Sequence, residues 1–196
     1  STAIIKGQGQ LKGDIKSTVL KQKLSGPLQL TFDAQANNLL EQFNWQAKVD
    51  AKQFDVSKLD ASWPALSGAL KLDAKGDLYI ATMSGKLKGH MPETGPLDAE
   101  FDIERLSNNT IQINQLKMHA PQQDTRIETA GSWIPGENGG DVKRPLSWQN
   151  LRWPMQQTPW FSSAIGNGTI EGNIDQYSIK MTSDSPWPEM IASTWH

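Results

Sequence analysis

Apolar residues recur at every second position over most of the chain, and that period admits only extended strands with one apolar and one polar face. The pattern is clearest in Leu28-Leu30-Phe32-Ala34, Phe43-Trp45-Ala47-Val49, Leu70-Leu72-Ala74, Leu97-Ala99-Phe101-Ile103, Ile111-Ile113 and Gly168-Ile170-Gly172-Ile174. Lys71, Asp73, Asp98, Glu100 and Asp102 occupy intervening positions and are expected to face water. Helical spacing is approached only from Ala36 to Phe43, and Asn44-Trp45 restores alternation at once, so a turn is expected there. Between the runs stand Asn37-Asn38, Lys75-Gly76-Asp77, Ser107-Asn108-Asn109, Pro121-Gln122 and Gly139-Gly140-Asp141. These residue types tolerate left-handed backbone or bond their own amides, which favours an antiparallel meander over βαβ units.

The runs also repeat. Gly9-Gln10-Leu11-Lys12-Gly13 recurs as Gly85-Lys86-Leu87-Lys88-Gly89 and, more loosely, as Gly168-Thr169-Ile170-Glu171-Gly172. Gly26-Pro27-Leu28 and Gly95-Pro96-Leu97 each lead, at the same offset, into Phe32-Asp33 and Phe101-Asp102. Glycine inside a strand relieves crowding where a sheet bends or another backbone comes close. The expected fold is therefore all-β: an elongated, curved antiparallel sheet. Residues 1–196 are read as a single segment of a longer repetitive protein.

Composition removes several function classes. The net charge is −2, and the 19 basic residues are scattered singly, so no face collects the phosphates of a nucleic acid. No window approaches the roughly 18–20 apolar residues of a membrane-spanning helix. Cysteine is absent, which excludes disulfides and thiolate chemistry and suits a secreted or periplasmic chain. The three histidines, His90, His119 and His196, show no metal-ligand spacing, and no metal or cofactor is expected. Gly7-Gln8-Gly9 and Gly166-Asn167-Gly168 lack the third glycine and following helix of a nucleotide cradle, and no nucleophile elbow is present. Alternating carboxylates such as Asp98-Glu100-Asp102 read as a solvated strand face rather than a glycosidase pair, so the chain is expected not to be an enzyme. The eight tryptophans, three of them in Trp63-Pro64, Trp153-Pro154 and Trp187-Pro188, suit core packing and loop-locking, with sugar stacking as the competing use.

The stretch Trp148-Gln149-Asn150-Leu151-Arg152-Trp153-Pro154-Met155, followed by Gly168 to Gly172, Ile174-Asp175 and Tyr177, resembles a signature of the TamB family. The upstream half is similar in rhythm, with Trp45-Gln46-Ala47, Phe54 to Leu59 before Trp63-Pro64, and the restart at Leu66-Ser67-Gly68-Ala69-Leu70. The resemblance implies an AsmA-like, bridge-type lipid transfer protein. Such a protein lies in the periplasm, anchored to the inner membrane by a helix outside this segment. Its sheet is a β-taco, an open groove with an apolar interior that carries phospholipid acyl chains toward the outer membrane. The implied partner is the BamA-like outer-membrane barrel TamA, reached through another part of the protein.

The groove-lining residues expected on this basis are Leu28, Leu30, Phe32, Phe43, Trp45, Val49, Leu70, Leu72, Leu97, Phe101, Ile103, Ile111 and Ile113. Alternation alone allows the same residues to pack against a second sheet in a dry sandwich. Two other functions fit an elongated β chain: a carbohydrate-binding or adhesive solenoid, and a chaperone that offers a sheet edge to outer-membrane β-proteins.

Overall fold

A computed structural model describes residues 4–60, 63, 65–135, 141–172 and 177–184. These form one open sheet of twelve strands in sequential order, each antiparallel to its neighbours. The strands are β1 (Lys6–Gly13), β2 (Ser17–Ser25), β3 (Leu28–Asn37), β4 (Asn44–Asp55), β5 (Ser67–Gly76) and β6 (Ala81–Met91), followed by β7 (Gly95–Arg105), β8 (Ile111–Ala120), β9 (Thr125–Ile134), β10 (Asp141–Trp153), β11 (Phe161–Gly172) and β12 (Tyr177–Ser183). Each alternating run of the sequence lies within or beside a strand, and Leu39 to Gln42 form a turn. One short 3-10 turn, Val56–Lys58, follows β4. No second sheet is formed among the described residues, so the apolar face does not pack against a separate sheet as the sandwich alternative requires. Gly139, Gly140 and Ile174 lie outside the described residues.

The meander follows from its turns. Asn38 (φ 51°) and Asn109 (φ 64°) take the left-handed conformation that asparagine tolerates best after glycine, and each reverses the chain between consecutive strands. At the β1–β2 and β5–β6 turns an aspartate does the work: Asp14 accepts from the backbone N–H of Lys16 (2.8 Å) and Ser17 (3.0 Å), and Asp77 from those of Tyr79 (2.6 Å) and Ile80 (2.8 Å). These amide donors hold both carboxyls below the usual aspartate pKa, the Ser17 bond being the larger cause for Asp14 and the Ile80 bond for Asp77. A carboxyl whose folded pKa is depressed stabilises the fold fully above its unfolded value, about 3.9, and loses that contribution as pH falls through the folded one. Lowering pH from 6 to 3 is therefore expected to lower the urea midpoint. Asp77→Asn, which still accepts both bonds but does not titrate, should shrink that acid-side drop; an undiminished drop would show that the turn carboxyl does not contribute.

Bulges keep the faces sorted. The β4–β5 register slips between Ala51 and Phe54, and the β8–β9 register between Ile113 and Leu116. Each slip adds a residue, so that Ala51 and Phe54, or Ile113 and Leu116, share a face despite their spacing. The two sequence repeats also separate here. The first glycine of each Gly-x-apolar-x-Gly unit (Gly9, Gly85, Gly168) stands on the same cross-strand rung, on β1, β6 and β11. Because β6 runs opposite to β1 and β11, these units are not copies of one tandem block. Leu28 and Phe32 of β3 do share rungs with Leu97 and Phe101 of β7, four strands away and in the same direction.

Candidate functional site

The register aligns one residue from every strand into a single rung: Gly9, Gln22, Phe32, Val49, Leu72, Gly85, Phe101, Leu116, Thr129, Leu146, Gly168 and Met181. The next rung on the same face carries Leu24, Leu30, Ala51, Leu70, Leu87, Ala99, Met118, Ile127, Trp148 and Gly166. In-register rungs two residues apart make one continuous apolar face. All the lining residues expected from the sequence fall on it, with Phe43 just before β4 in phase with Trp45. They are half-buried, except Leu97 and Ile113, which are buried at 7% exposure. Neighbours on the paired strands flank them.

The same face carries residues that alternation did not single out. Leu20 and Leu24 stand in a lysine-rich run; Phe54, Leu116 and Met118 follow bulges, where parity changes; Met83 and Leu87 flank a glycine. A hollow of about 470 Å³ opens on this face against Leu20, Phe32, Ala34, Trp45, Val49 and Leu72. The opposite face has a hollow of about 620 Å³, lined by polar-face side chains including Asp33, Lys48, Asp73 and Asp102. The Lys48–Asp73 ion pair (3.5 Å) there is solvent-exposed on both sides, so it contributes little.

At one rim the apolar face is partly roofed. Residues 154–160, between β10 and β11, reach the β8–β9 turn: the Gln123 amide donates to the Met155 carbonyl (3.1 Å), and the Gln156 amide donates to Gln122 Oε1 (3.2 Å). Gln156 then fills the space over Gly95 at the start of β7. On the same rim, the Val56 N–H donates to the Leu66 carbonyl (3.0 Å), and Leu66 sits over Gly89 of β6. The most buried side chains gather toward this rim: Phe54, Leu97, Ala120, Thr125 and Trp148. The opposite rim is built of short turns with exposed apolar tips, among them Ile15, Leu40, Leu78 and Tyr79.

Two arginines stand on the apolar face, and their circumstances differ. Arg105, at the end of β7, donates from Nη2 to the Leu78 carbonyl (2.6 Å) and from Nε to that of Tyr79 (3.3 Å). Arg144 of β10 is half-buried, in phase with Leu146 and Trp148 and paired with Ile170, and its buried Nε has no hydrogen-bond partner. No signal in the sequence distinguishes these two.

His90 and His119 stand near the ends of β6 and β8, the latter 3.3 Å from Asp124, and no metal-binding cluster occurs among the described residues. His196, Trp187 and Trp195 lie outside them. The tryptophans divide by use. Trp148 is buried and Trp45 donates to the Asp77 carbonyl (3.3 Å), whereas Trp63, Trp153 and Trp160 are exposed at the roofed rim. Comparison with protein-family models, with curated proteins and with solved structures gives no match.

Proposed function

We propose that this chain is a segment of a periplasmic lipid conduit of the TamB-like kind, its sheet forming a β-taco that holds phospholipid acyl chains along the apolar face. On this reading it moves phospholipids between inner and outer membranes and supports outer-membrane assembly. It is not an enzyme and needs no cofactor, and it meets the membrane anchor and the TamA barrel through other parts of the protein. The observation that carries the reading is the rung that runs apolar through most of twelve strands of a sheet with no second sheet against it among the described residues. Uncovered apolar surface of such extent ordinarily marks a binding site. At about 25 cal/mol per Å², or about 0.8 kcal/mol per methylene, two long chains lying on it are stabilised without any specific headgroup pocket.

The test is mass spectrometry of lipids extracted from the chain purified without detergent, beside Phe101→Asp and Val49→Asp on the same rung, with folding checked by circular dichroism. Phospholipid on the wild type, lost from both folded variants, is the expected result. A folded wild type that carries no lipid, before or after incubation with vesicles, would overturn it. The polar hollow lined by Asp33, Lys48, Asp73 and Asp102 favours a second reading, a saccharide-binding surface, under which Asp73→Ala would weaken glycan binding and Val49→Asp would not.

A further inference from the structure

A guanidinium on an apolar face needs a reason. Charged groups drawn out of water are costly unless an opposite charge or a full set of hydrogen bonds meets them. Arg105 satisfies that rule with the Leu78 and Tyr79 carbonyls. Arg144 does not: Nε is shut off from solvent with no acceptor, and no carboxylate lies within ion-pair distance among the described residues. Its neighbours along and across the strands are Leu146 and Ile170, and β9 faces it with Ala130 and Gly131, between the pairs Lys143–Ser132 and Leu146–Thr129. Those two residues bring little or no side chain to the rung beside Arg144. Burial also holds the arginine pKa below its ordinary value, in keeping with a desolvated cation lacking a counter-charge.

We propose that Arg144 is the headgroup anchor of the apolar face, binding the anionic oxygens of an acyl amphiphile whose chains lie along the neighbouring rungs. This rests on the lipid-groove reading and adds the ligand's polar end to it. The planar fork of a guanidinium matches phosphate and carboxylate oxygens two at a time, which a lysine cannot reproduce. Arg144 lies one rung from Leu146, the β10 member of the Phe32–Phe101 rung, so an anion held there leaves its chain room to run across Thr129, Leu116 and Phe101.

The experiment compares decyl phosphate, decanoate, decanol and inorganic phosphate as ligands of the purified chain, by calorimetry below their micelle concentrations, with wild type, Arg144→Leu and Arg144→Lys. Wild type should bind decyl phosphate or decanoate at least about tenfold more tightly than decanol. Arg144→Leu should bind all three ten-carbon ligands as wild type binds decanol, and should resist urea as well as or better than wild type, because the unpaired charge is gone. Arg144→Lys should recover only part of the preference. Tighter decyl phosphate assigns the anchor to a phospholipid, and tighter decanoate assigns it to a fatty acid; either upholds the anchor. Decanol binding as tightly as both anions, or a preference untouched in Arg144→Leu, overturns the anchor and leaves the groove standing. Binding of inorganic phosphate as tight as that of decyl phosphate would reduce Arg144 to an adventitious ion site and overturn it too. No binding of any ten-carbon ligand to wild type would remove both readings at once.

Discussion

Trp148→Ala is expected to destabilise the chain by about 3–5 kcal/mol, read as a fall in the urea midpoint by circular dichroism. Trp148 is only 2% exposed, an unusual depth in a single-layer sheet. It is buried because its ring lies over Gly166 of β11, which has no side chain to oppose it. The indole N–H donates to the hydroxyl of Ser163 (2.9 Å), itself buried and able to donate to the Asp184 carboxylate (3.0 Å). Truncation to alanine thus removes a large ring that nothing nearby can replace and takes away the donor to a buried oxygen. Trp148→Phe keeps most of the ring and loses the donor, so it should cost about 1–3 kcal/mol, less than the alanine variant. If Trp148→Ala proved as stable as wild type to within about 1 kcal/mol, the side chain would not be closed in as described.

Much of this fold could be read from the sequence, because a period of two fixes both the strand and which residues share a face. It predicted the runs through Phe32, Val49, Leu72 and Phe101, and the register then joined them into one rung. The strands β2 and β10 were less visible. In β2 the apolar residues Leu20 and Leu24 are separated by Gln22 on their own face and flanked by lysines. In β10 the run from Asp141 to Leu146 includes Arg144 on the apolar side, which breaks the pattern where the anchor is proposed. Bulges also escape a periodic reading: Asn114 and Gln115 look like ordinary strand residues, yet the slip there returns Leu116 to the face of Ile113. Alternation could not separate trough from sandwich, since both bury one face. That distinction depends on which strands become neighbours, and here every neighbour is next in sequence, so no second sheet is formed among the described residues.

The glycines of the Gly85-Lys86-Leu87-Lys88-Gly89 motif should respond in opposite directions to the same substitution. Strand-interior glycine normally costs about 0.5–1 kcal/mol relative to alanine, through the freedom lost on folding. At Gly89 a methyl group would meet Leu66 Cδ1 at 3.1 Å, the far end of a flexible side chain, with the nearest backbone atom at 3.4 Å, so Gly89→Ala should be neutral or stabilising by up to about 0.5–1 kcal/mol. At Gly85 it would run into the ring of Phe101, which lies across this position from the paired strand, and would stand 2.8 Å from the Lys71 carbonyl oxygen on the other side. The ring can swing away, but the carbonyl is held in the β5–β6 pairing. Gly85→Ala should therefore destabilise by about 1–3 kcal/mol, the usual cost of forcing extra volume into packed structure. Phe101→Leu removes the ring and should recover part of that loss in the double variant, leaving the carbonyl contact. Full recovery would assign the whole effect to the ring. No recovery would assign it to the backbone and leave Phe101 free of Gly85, against the packing that makes this glycine part of the apolar face.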